Sequence, residues 1–396
     1  MYKIIKKTGG VTEADGFFTD GKSAGLRPDG GVDTAFIYSD TLCDVAHKFT
    51  TNKMQAAPIK HFLKHSITQT NFILINAKNA NAMTSQQGIN DIEEILQKLN
   101  AHHKKELINP IMSSTGVIGV ALPKEKILLA AKEFDLNTKN PKAAASAIMT
   151  TDTFAKTTAY EVVLENGESF SIGAMAKGAG MINPAMATML CFITTDADID
   201  AKSMQNALDA ATKTTFNAIS VDGDTSTNDT VLLLSNKKSG CYDKEAFYEV
   251  LEMVMLELAK MMVEDGEGAT KLVTYELQGA TNNTQAEIAA KALSDSLLMK
   301  TALFGEDPNW GRVASTIGAS GVDAVEEQLS IYFDEICVYN KGENLFDLAT
   351  EEKAAAVMKQ KSFTIRCDLG IGNGSFTAYG CDLGYEYVKI NADYRT

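Results

Sequence analysis

The chain has 396 residues, of which 45% are hydrophobic and 22% are charged, so its composition is that of a globular protein and excludes a disordered, collagen-like or coiled-coil chain. Its 51 acidic and 37 basic residues give a net charge of −14, which excludes the basic face that nucleic-acid binding needs and disfavours binding to an anionic membrane surface. We therefore expect small-molecule partners, with no nucleic acid and no membrane.

The six cysteines and the start of the chain indicate the cellular compartment. The cysteines form no CxxC pair, and the basic first residues run into Thr8-Gly9-Gly10, where a signal peptide needs an apolar segment. No stretch approaches the roughly 18 uncharged apolar residues of a membrane span. We expect reduced thiols and a cytoplasmic, soluble protein.

Segments typical of strands and of helices alternate along the chain. Apolar runs predict strands at 71–76, 160–164, 188–193, 230–234, 272–277, 329–339, 363–367 and 385–390. Helical periodicity predicts helices over 85–100, 124–134, 141–149, 200–214, 243–263, 284–300 and 350–360. This alternation indicates an α/β fold of layered sheets and helices. The close spacing of 363–367, 374–380 and 385–390 favours antiparallel pairing there over a doubly wound parallel sheet.

The segment from Gly16 to Ser23 fits the GxxxxGK[ST] pattern of a nucleotide-binding loop. Such a loop works only between a buried strand and a helix whose first turn faces the phosphates. The residues before it form no apolar strand, and 24–31, with three glycines and a proline, cannot form a helix. We therefore reject ATP binding.

The five histidines all lie within the first 103 residues. His61 and His65 are spaced to share a helix face, but the segment lacks the glutamate that a zinc-protease helix places beside its first histidine. His102 and His103 lie in a polar stretch. A surface or core position is favoured over a metal-binding or catalytic role for each, and no metal site is expected.

The acidic segment 222–229 resembles a calcium loop in its first five positions. It then has Thr227 where that loop needs glycine and Leu233 where it needs a bidentate glutamate. We interpret it as a self-hydrogen-bonded turn whose small polar side chains hold a strand end against a neighbouring active-site loop.

Two glycine-rich segments carry the candidate chemistry. Residues 113–119 form a turn whose backbone N–H groups could converge on one oxygen, although the residues alone favour a purely structural turn. Residues 177–184 form a second turn, after which Thr188 opens a buried strand. If the bond before Thr188 is cut, its α-amine, with a pKa of about 7.7–8.0, can act as the base for its own hydroxyl. Threonine is also common in ordinary strands, so the residues alone leave both interpretations open.

Ten segments in order resemble the ornithine acetyltransferase (glutamate N-acetyltransferase) family of arginine biosynthesis. They span nearly the whole chain: Gly16-Phe17 with Gly21 and Gly25, 76–81, 114–119, 148–153, 177–181, 186–190, 220–229, 266–271, 304–312 and 387–392. The resemblance implies the layered α/β fold shared by ornithine acetyltransferases and L-aminopeptidase/D-esterase enzymes, self-processed into two chains. Cleavage between Ala187 and Thr188 would leave an alpha chain, 1–187, with the oxyanion-hole and substrate-binding segments, and a beta chain, 188–396, that begins with the nucleophile.

The resemblance also implies the reaction. Thr188 takes the acetyl group from N-acetylornithine and passes it to glutamate in a ping-pong cycle, with Thr115 and Gly116 forming the oxyanion hole. No cofactor or metal is implied, and whether acetyl-CoA also serves as a donor stays open. An α2β2 assembly of the two chains is implied. The residues that match the family's substrate contacts are Thr151, Lys177, Thr188, Glu267, Asn391 and Thr396.

The chemistry of these residues suits amino acids, because Lys177 can meet a carboxylate, Glu267 a cationic amine, and Asn391 either group. Some positions depart from the family pattern. Ala179, Asn183 and Ala185 replace the more usual serine, histidine and asparagine, and Ala77-Lys78 replaces a Ser-Gly pair, so the cleavage rate could differ. Two alternatives stay open: a self-cleaving amidohydrolase or aminopeptidase of the related fold, and an uncleaved amino-acid-binding relative.

Overall fold

Two mixed β-sheets with helices packed on them make up this mixed α/β protein, which a computed structural model describes over residues 1–183 and 189–393. All six cysteines are free, as expected, and only Cys337 is not buried. Within the described ranges, no helix has both the length and the apolar character that crossing a membrane requires.

The first sheet draws its strands from the first 235 residues. They are β1 Tyr2–Lys7, β2 Phe17–Lys22, β3 Thr34–Phe49, β4 Gln69–Asn76, β5 Ile111–Ser114, β6 Lys156–Leu164, β7 Ser169–Lys177, β8 Leu190–Thr195 and β10 Thr230–Ser235. The strand β9 Ile219–Ser220, which lies between β8 and β10 in the chain, belongs to the second sheet. Their spatial order is β1–β6–β7–β8–β10–β3–β4–β5, with β2 paired to β3. The helices around this sheet are α1 Ala57–Lys64, α2 Ser85–His102, α3 Lys124–Lys132, α4 Pro141–Ala147, α5 Ala201–Thr214 and α6 Lys244–Glu264.

Side-chain alternation on β8 shows how this sheet is layered. Successive residues of a strand point to opposite faces. Cys191 and Ile193 pack in one core with residues of α5 and α6, whereas Leu190 and Phe192 pack in another core with residues of β4. The sheet therefore folds over so that β8 lies between a helical layer and a second strand layer.

The strand β4 completes the layers. Ile73 and Ile75 face the core shared with β8, and Phe72 and Leu74 face a core formed with α2 and α3. Because both faces of β4 are buried, seven of its eight residues are buried, and its centre is the continuous apolar run 72–75. The order of layers is helices, strands, strands, helices.

The second sheet comes from the later half of the chain. Besides β9 it contains β11 Leu272–Ala280, β12 Ser330–Phe333, β13 Ile336–Asn340, β14 Glu343–Asn344, β15 Ser362–Asp368 and β16 Gly374–Cys381, in the order β14–β13–β12–β15–β11–β16–β9. The remaining described helices are α7 Asn283–Asp295, α8 Leu297–Phe304, α9 Trp310–Ala319, α10 Leu348–Met358 and α11 Tyr385–Asp393. One core joins this sheet to α7, α9 and α10.

Most predicted elements are confirmed. The predicted strands at 71–76, 160–164, 230–234, 272–277 and 363–367 lie within β4, β6, β10, β11 and β15. Six predicted helices correspond to α2, α3, α4, α5, α6 and α10, with ends shifted by one or two residues. The predicted strand 188–193 overlaps β8, which begins at Leu190, while Thr188 lies outside the described residues.

Four predictions about the later half are wrong in detail. The helix 284–300 is two helices, because Ser296 leaves the helical conformation and caps α8 by accepting a hydrogen bond from the Met299 N–H. The strand 329–339 is the hairpin β12–β13, which turns at Asp334 with φ of 48°. Residues 385–390 belong to the helix α11. The strands β15 and β16 do not pair with each other, because β11 lies between them, parallel to β15 and antiparallel to β16.

The segment that fits the nucleotide-binding pattern is the strand β2, paired antiparallel with β3. The chain between Lys22 and Thr34 forms turns, and the next regular element is a strand. The segment therefore does not lead into a helix that could receive phosphates, as its flanking residues predicted.

Candidate active site

A cavity of about 60 Å³ brings together predicted site residues from separate parts of the chain. Those that line it are Thr115, Gly116, Thr151, Lys177, Glu267 and Asn391. The predicted cleavage residues Ala187 and Thr188, and the predicted contact Thr396, lie outside the described residues.

Lys177 supplies the buried positive charge of the cavity. It ends β7, is 2% exposed, and its Nζ lies 3.5 Å from Thr115 Oγ1. Burial lowers the pKa of Lys177, and the nearby Asp152 carboxylate opposes that shift. An ammonium group held away from water and facing a cavity is suited to binding a carboxylate.

Asp152 anchors the glycine-rich turn that follows Lys177. Its Oδ1 accepts hydrogen bonds from the Gly178 N–H and from Lys156 Nζ, both at 2.7 Å. Burial opposes ionisation of Asp152, but Lys177 and Lys156 outweigh it and lower its pKa to about 2. Lys156 also pairs with the buried Asp265, which accepts from the Thr153 N–H at 3.0 Å. These charges hold the segment 150–156, the turn at 178 and the end of α6 together.

Gly116 provides an N–H group at the cavity wall. Its φ is 133°, and a Cβ there would overlap the backbone of Lys78 and Asn79, so only glycine fits. Within the described chain the Gly116 N–H donates no hydrogen bond, whereas the Thr115 N–H donates to Asn76 O at 3.0 Å. The groups free to stabilise an oxyanion are thus the Gly116 N–H and the Thr115 hydroxyl.

The loop after β4 packs against Gly116. Asn76 Nδ2 donates to Asn79 O at 2.9 Å, and Asn76 Oδ1 accepts from Ser114 Oγ at 2.7 Å. Lys78, one of the departures from the family pattern, has φ of 68°, a conformation that glycine adopts more easily, and its Nζ donates to Thr150 O at 2.9 Å. The lysine thus joins this loop to the segment that carries Thr151.

The polar segment 222–229 acts as the expected hydrogen-bonded turn. Ser226 Oγ accepts from the Asn228 N–H at 3.1 Å, and Asn228 Nδ2 donates to Ser114 O at 2.8 Å, beside the oxyanion segment. Asp229 Oδ1 accepts from the Met189 N–H at 3.0 Å. Burial raises the pKa of Asp229 well above its usual range. The predicted self-hydrogen-bonded turn is confirmed, and it joins the start of the strand region at Met189 to the segment that carries Ser114.

Glu267 and Asn391 also line the cavity and add a carboxylate and an amide to it. Asn391 Nδ2 donates to Glu267 Oε2 at 2.7 Å, and the Glu267 N–H donates to Ala179 O at 2.8 Å. The hydrogen bond from the Glu267 N–H goes to the backbone oxygen of Ala179. It therefore does not depend on the side chain at position 179, where this chain departs from the family pattern. A Cβ on Gly180 would overlap the Glu267 carboxylate, so a side chain there would displace that carboxylate from its place in the cavity.

A second anchor fixes α11 near this carboxylate. Asp222 accepts hydrogen bonds from the Met181 and Ile182 N–H groups at 2.6 and 2.8 Å and from Tyr387 Oη at 3.2 Å. Asn183, another departure, donates from Nδ2 to Gly223 O at 2.5 Å, while Ala185 lies outside the described residues. The turn before the predicted cleavage point is thereby held by the polar segment 222–229.

The sequence missed the charged residues that position the site. They are Asp152, Lys156 and Asp265, whose side chains are buried and pair through Lys156. Lys156 and Asp265 are 109 residues apart, so no spacing in the sequence joins them. The available signal was an acidic residue inside the family-like segment 148–153 and a lysine shortly before the apolar run 159–164, which only Glu161 interrupts with a charge.

Comparisons with known proteins cover nearly the whole chain. The ArgJ family profile matches residues 19–396. The arginine biosynthesis bifunctional protein ArgJ of Wolinella succinogenes is 59% identical, with 100% of both chains covered. The protein of the same name from Oceanobacillus iheyensis is 42% identical, with 99% of this chain and 98% of that chain covered. The crystal structure of the argJ protein from Bacillus halodurans is 42% identical, covers 51% of this chain and 97% of that chain, and has a TM-score of 0.48.

Proposed function

This chain belongs to the ArgJ family, and on that premise we propose that Thr188, freed as a new N-terminus by self-cleavage, carries the acetyl group. The protein is a bifunctional acetyltransferase of arginine biosynthesis, an ornithine acetyltransferase and N-acetylglutamate synthase. The proposal concerns which residues perform this activity and in what order.

One observation carries the proposal: a buried ammonium, an unpaired glycine N–H and a carboxylate line the same small cavity. They belong to Lys177, Gly116 and Glu267, which are separated by 61 to 151 positions in the sequence and share no element. A cation at one side and an anion at the other complement the carboxylate and ammonium groups of an amino acid. The Gly116 N–H in the same cavity suits the oxyanion formed in acyl transfer.

Self-cleavage is the first proposed reaction. The Thr188 hydroxyl attacks the Ala187 carbonyl carbon, the peptide C–N bond breaks, and the chain is joined there by an ester. Water then hydrolyses the ester, leaving a carboxylate on Ala187 and a free amine on Thr188. The hydrogen bond from the Met189 N–H to Asp229 supports this step, because it fixes the residue that follows the nucleophile.

Acetyl transfer follows in two halves. The Thr188 amine accepts the proton of its own hydroxyl as Oγ bonds to the acetyl carbon of N-acetylornithine; the acetyl C–N bond breaks, and the proton passes to the departing ornithine amine. The glutamate amine then attacks the acetyl ester, and Thr188 Oγ regains a proton. The Gly116 N–H and the Thr115 hydroxyl stabilise both tetrahedral oxyanions, and one such donor typically contributes about 2.7–4 kcal/mol.

Substrate recognition uses the two charged sides of the cavity. Lys177 binds the α-carboxylate that N-acetylornithine and glutamate share, and Glu267 with Asn391 binds the cationic end of ornithine. Thr151 and Thr396 complete the proposed contacts. Acetyl-CoA is the donor for the second activity, and the cleaved chains assemble as α2β2.

Detection of the acetylated intermediate tests the mechanism. We expect mass spectrometry of enzyme mixed with N-acetylornithine alone to find one acetyl group on the fragment that begins with Thr188. Addition of glutamate should remove it and form N-acetylglutamate, and acetyl-CoA should load the same residue. Loss of the acetyl group to water at the same rate without glutamate would instead favour the amidohydrolase alternative, and an acetyl group on another residue would refute the role of Thr188.

A further inference from the structure

A second cluster of reactive side chains lies between α1 and α2, outside the candidate active site. His61 and His65 are one helical turn apart at the end of α1, with ring centroids 4.6 Å apart. Glu93 of α2 faces them, and its Oε1 lies 3.3 Å from His65 Nε2. The three residues line a cavity of about 380 Å³ whose other walls include Thr68, Asn100 and Asn109.

The spacing of the three ligand atoms is close to that of a metal site. One nitrogen from each histidine and one carboxylate oxygen lie within 4.8 Å of one another. Two atoms that each bind zinc at about 2.1 Å can be at most about 4.2 Å apart. Small rotations of the exposed His65 and the half-buried Glu93 close this difference.

His61 provides independent support for a ligand at this place. Its side chain is 6% exposed, it lines the cavity, and among the described residues its ring nitrogens have no hydrogen-bond partner. A metal ion in the cavity would give these ring nitrogens a partner.

We propose that His61, His65 and Glu93 bind a divalent transition-metal ion of the zinc type, with water from the cavity as a further ligand. Two imidazoles and one carboxylate, with an open position, form a donor set suited to zinc. The ion ties α1 to α2. The sequence analysis favoured a surface or core role for both histidines because no glutamate lies beside them; Glu93 reaches them from another helix, 28 positions after His65.

Lys64 limits the affinity of the site. Its Nζ lies 2.7 Å from Glu93 Oε1, the same oxygen that His65 approaches. A bound ion must compete with this ammonium for the carboxylate. Removal of the lysine charge therefore strengthens metal binding, whereas it has no such effect if the histidines merely pack against Glu93.

The place of α1 in the fold gives the ion a structural role. The Ala56 N–H donates to Thr227 O at 2.9 Å, and the Ala57 N–H donates to Asn81 O at 3.0 Å. Both acceptors lie in segments that support the candidate active site. A metal ion at the other end of α1 thus stabilises a helix on which two active-site loops depend.

Titration of the metal-free protein with Zn²⁺, followed by calorimetry and thermal unfolding, tests the proposal. We expect one Zn²⁺ per chain and a higher melting temperature, and no response to Mg²⁺, which prefers oxygen ligands. The exposed-site variant His65→Ala and the buried-site variant His61→Ala should each weaken binding by at least the roughly 10–100-fold seen when outer partners of a metal site are lost. Lys64→Gln should tighten it.

The pair His102 and His103 supplies a matched control. Their ring nitrogens contact the backbone oxygens of Lys132 and Ala131, at 3.1 and 3.3 Å, so neither histidine is unpaired. The double variant His102→Ala/His103→Ala should bind Zn²⁺ as the parent chain does. Absence of Zn²⁺ binding to the parent, or binding that survives His65→Ala and is unchanged by Lys64→Gln, would overturn the proposal. Circular dichroism of each variant separates loss of binding from loss of folding.

Discussion

The unpaired N–H of Gly116 is the smallest feature on which the proposed chemistry depends. Replacement by alanine forces a Cβ into the backbone of Lys78 and Asn79 at a φ of 133°. The segment must then shift and carry the N–H away from the cavity. We expect Gly116→Ala to lower kcat by about 10²–10³-fold, the usual cost of one lost oxyanion donor. Steady-state kinetics with N-acetylornithine and glutamate measure it.

Gly119 is the matched control for this change. It lies three residues later, has φ of 78°, and a Cβ on it would meet no atom within 4 Å. Gly119→Ala should therefore lower the unfolding free energy by only about 1–2 kcal/mol, the cost of a non-glycine residue at positive φ, and should keep kcat. Equal losses of kcat in both variants would show that strain in the turn, and not the Gly116 N–H, explains the effect.

Substitution of two buried lysines, Lys177 and Lys156, distinguishes an effect on substrate binding from an effect on folding. Lys177 lines the cavity, whereas Lys156 lies between Asp152 and Asp265 and does not. We expect Lys177→Met to raise KM for both amino-acid substrates strongly, while Lys156 still neutralises Asp152. Lys156→Met leaves two buried carboxylates with less compensation and should cost about 3–5 kcal/mol of unfolding free energy. Urea unfolding and steady-state kinetics distinguish the two outcomes, and an unchanged KM in Lys177→Met would contradict the carboxylate assignment.

The lowered pKa of Lys177 adds a pH dependence to this prediction. Because burial lowers the pKa, Lys177 loses its proton at a lower pH than an ordinary lysine, whose pKa is 10.5. As pH rises through that lowered value, the cation disappears and KM for the carboxylate substrates should rise. In Lys177→Met this alkaline rise in KM should be absent, since no cation remains to titrate.

Sequence analysis could assign these residue-scale roles only in part. Lys177 and Glu267 were predicted because they match a family pattern and carry charges suited to amino acids. The partners Asp152, Lys156 and Asp265 were missed, because a buried ion pair is created by the fold and joins positions about 110 residues apart. Such residues look like ordinary surface charges until their burial is known.

At the scale of elements, α11 is the clearest difference between sequence and structure. Tyr385, Tyr387 and the apolar residues that alternate with charged ones predicted a strand, which would place residues four apart on one face about 13 Å from each other. In a helix the same two positions are about 6 Å apart. Tyr387 and Asn391 use that proximity to contact Asp222 and Glu267. Tertiary hydrogen bonds thus override local β propensity here.

Removal of the end of α11 tests its role. Deletion of 391–396 takes away the hydrogen bond from Asn391 to Glu267 but leaves the bond from Tyr387 to Asp222. We expect turnover to fall severely while self-cleavage is largely retained, which a kinetic assay and a denaturing gel measure together. Lys389→Ala is the control, because Lys389 is exposed and, among the residues that the structure describes, its ammonium pairs only with Glu386. Normal turnover after the deletion would contradict the proposed contact.

At the scale of the whole molecule, the proposed cleavage point does not separate two folded units. The strand β7, before it, pairs with β8, after it, from Ile172 with Thr195 to Lys177 with Leu190. The strand β10 also pairs with β3. The proposed chains 1–187 and 188–396 would therefore share the first sheet, which periodicity could not reveal, because strand pairing is set by non-local contacts.

The hydrophobic core that contains residues from both sides of the proposed cleavage point predicts that the two chains stay together after cleavage. Phe170 and Ile172 of β7 share a core with Phe247 and Val250 of α6. Each such buried side chain contributes about 1.5–3 kcal/mol, and together the many side chains in this core contribute more than the roughly 4–15 kcal/mol that association of two chains costs.

We expect a denaturing gel to show chains of 187 and 209 residues, which together make the 396 of the precursor, and native size exclusion to show them in one species. Thr188→Ala should give one full-length band at a similar native size. Separate elution of the two chains would refute the shared sheet, and splitting of Thr188→Ala at the same bond would refute the nucleophile.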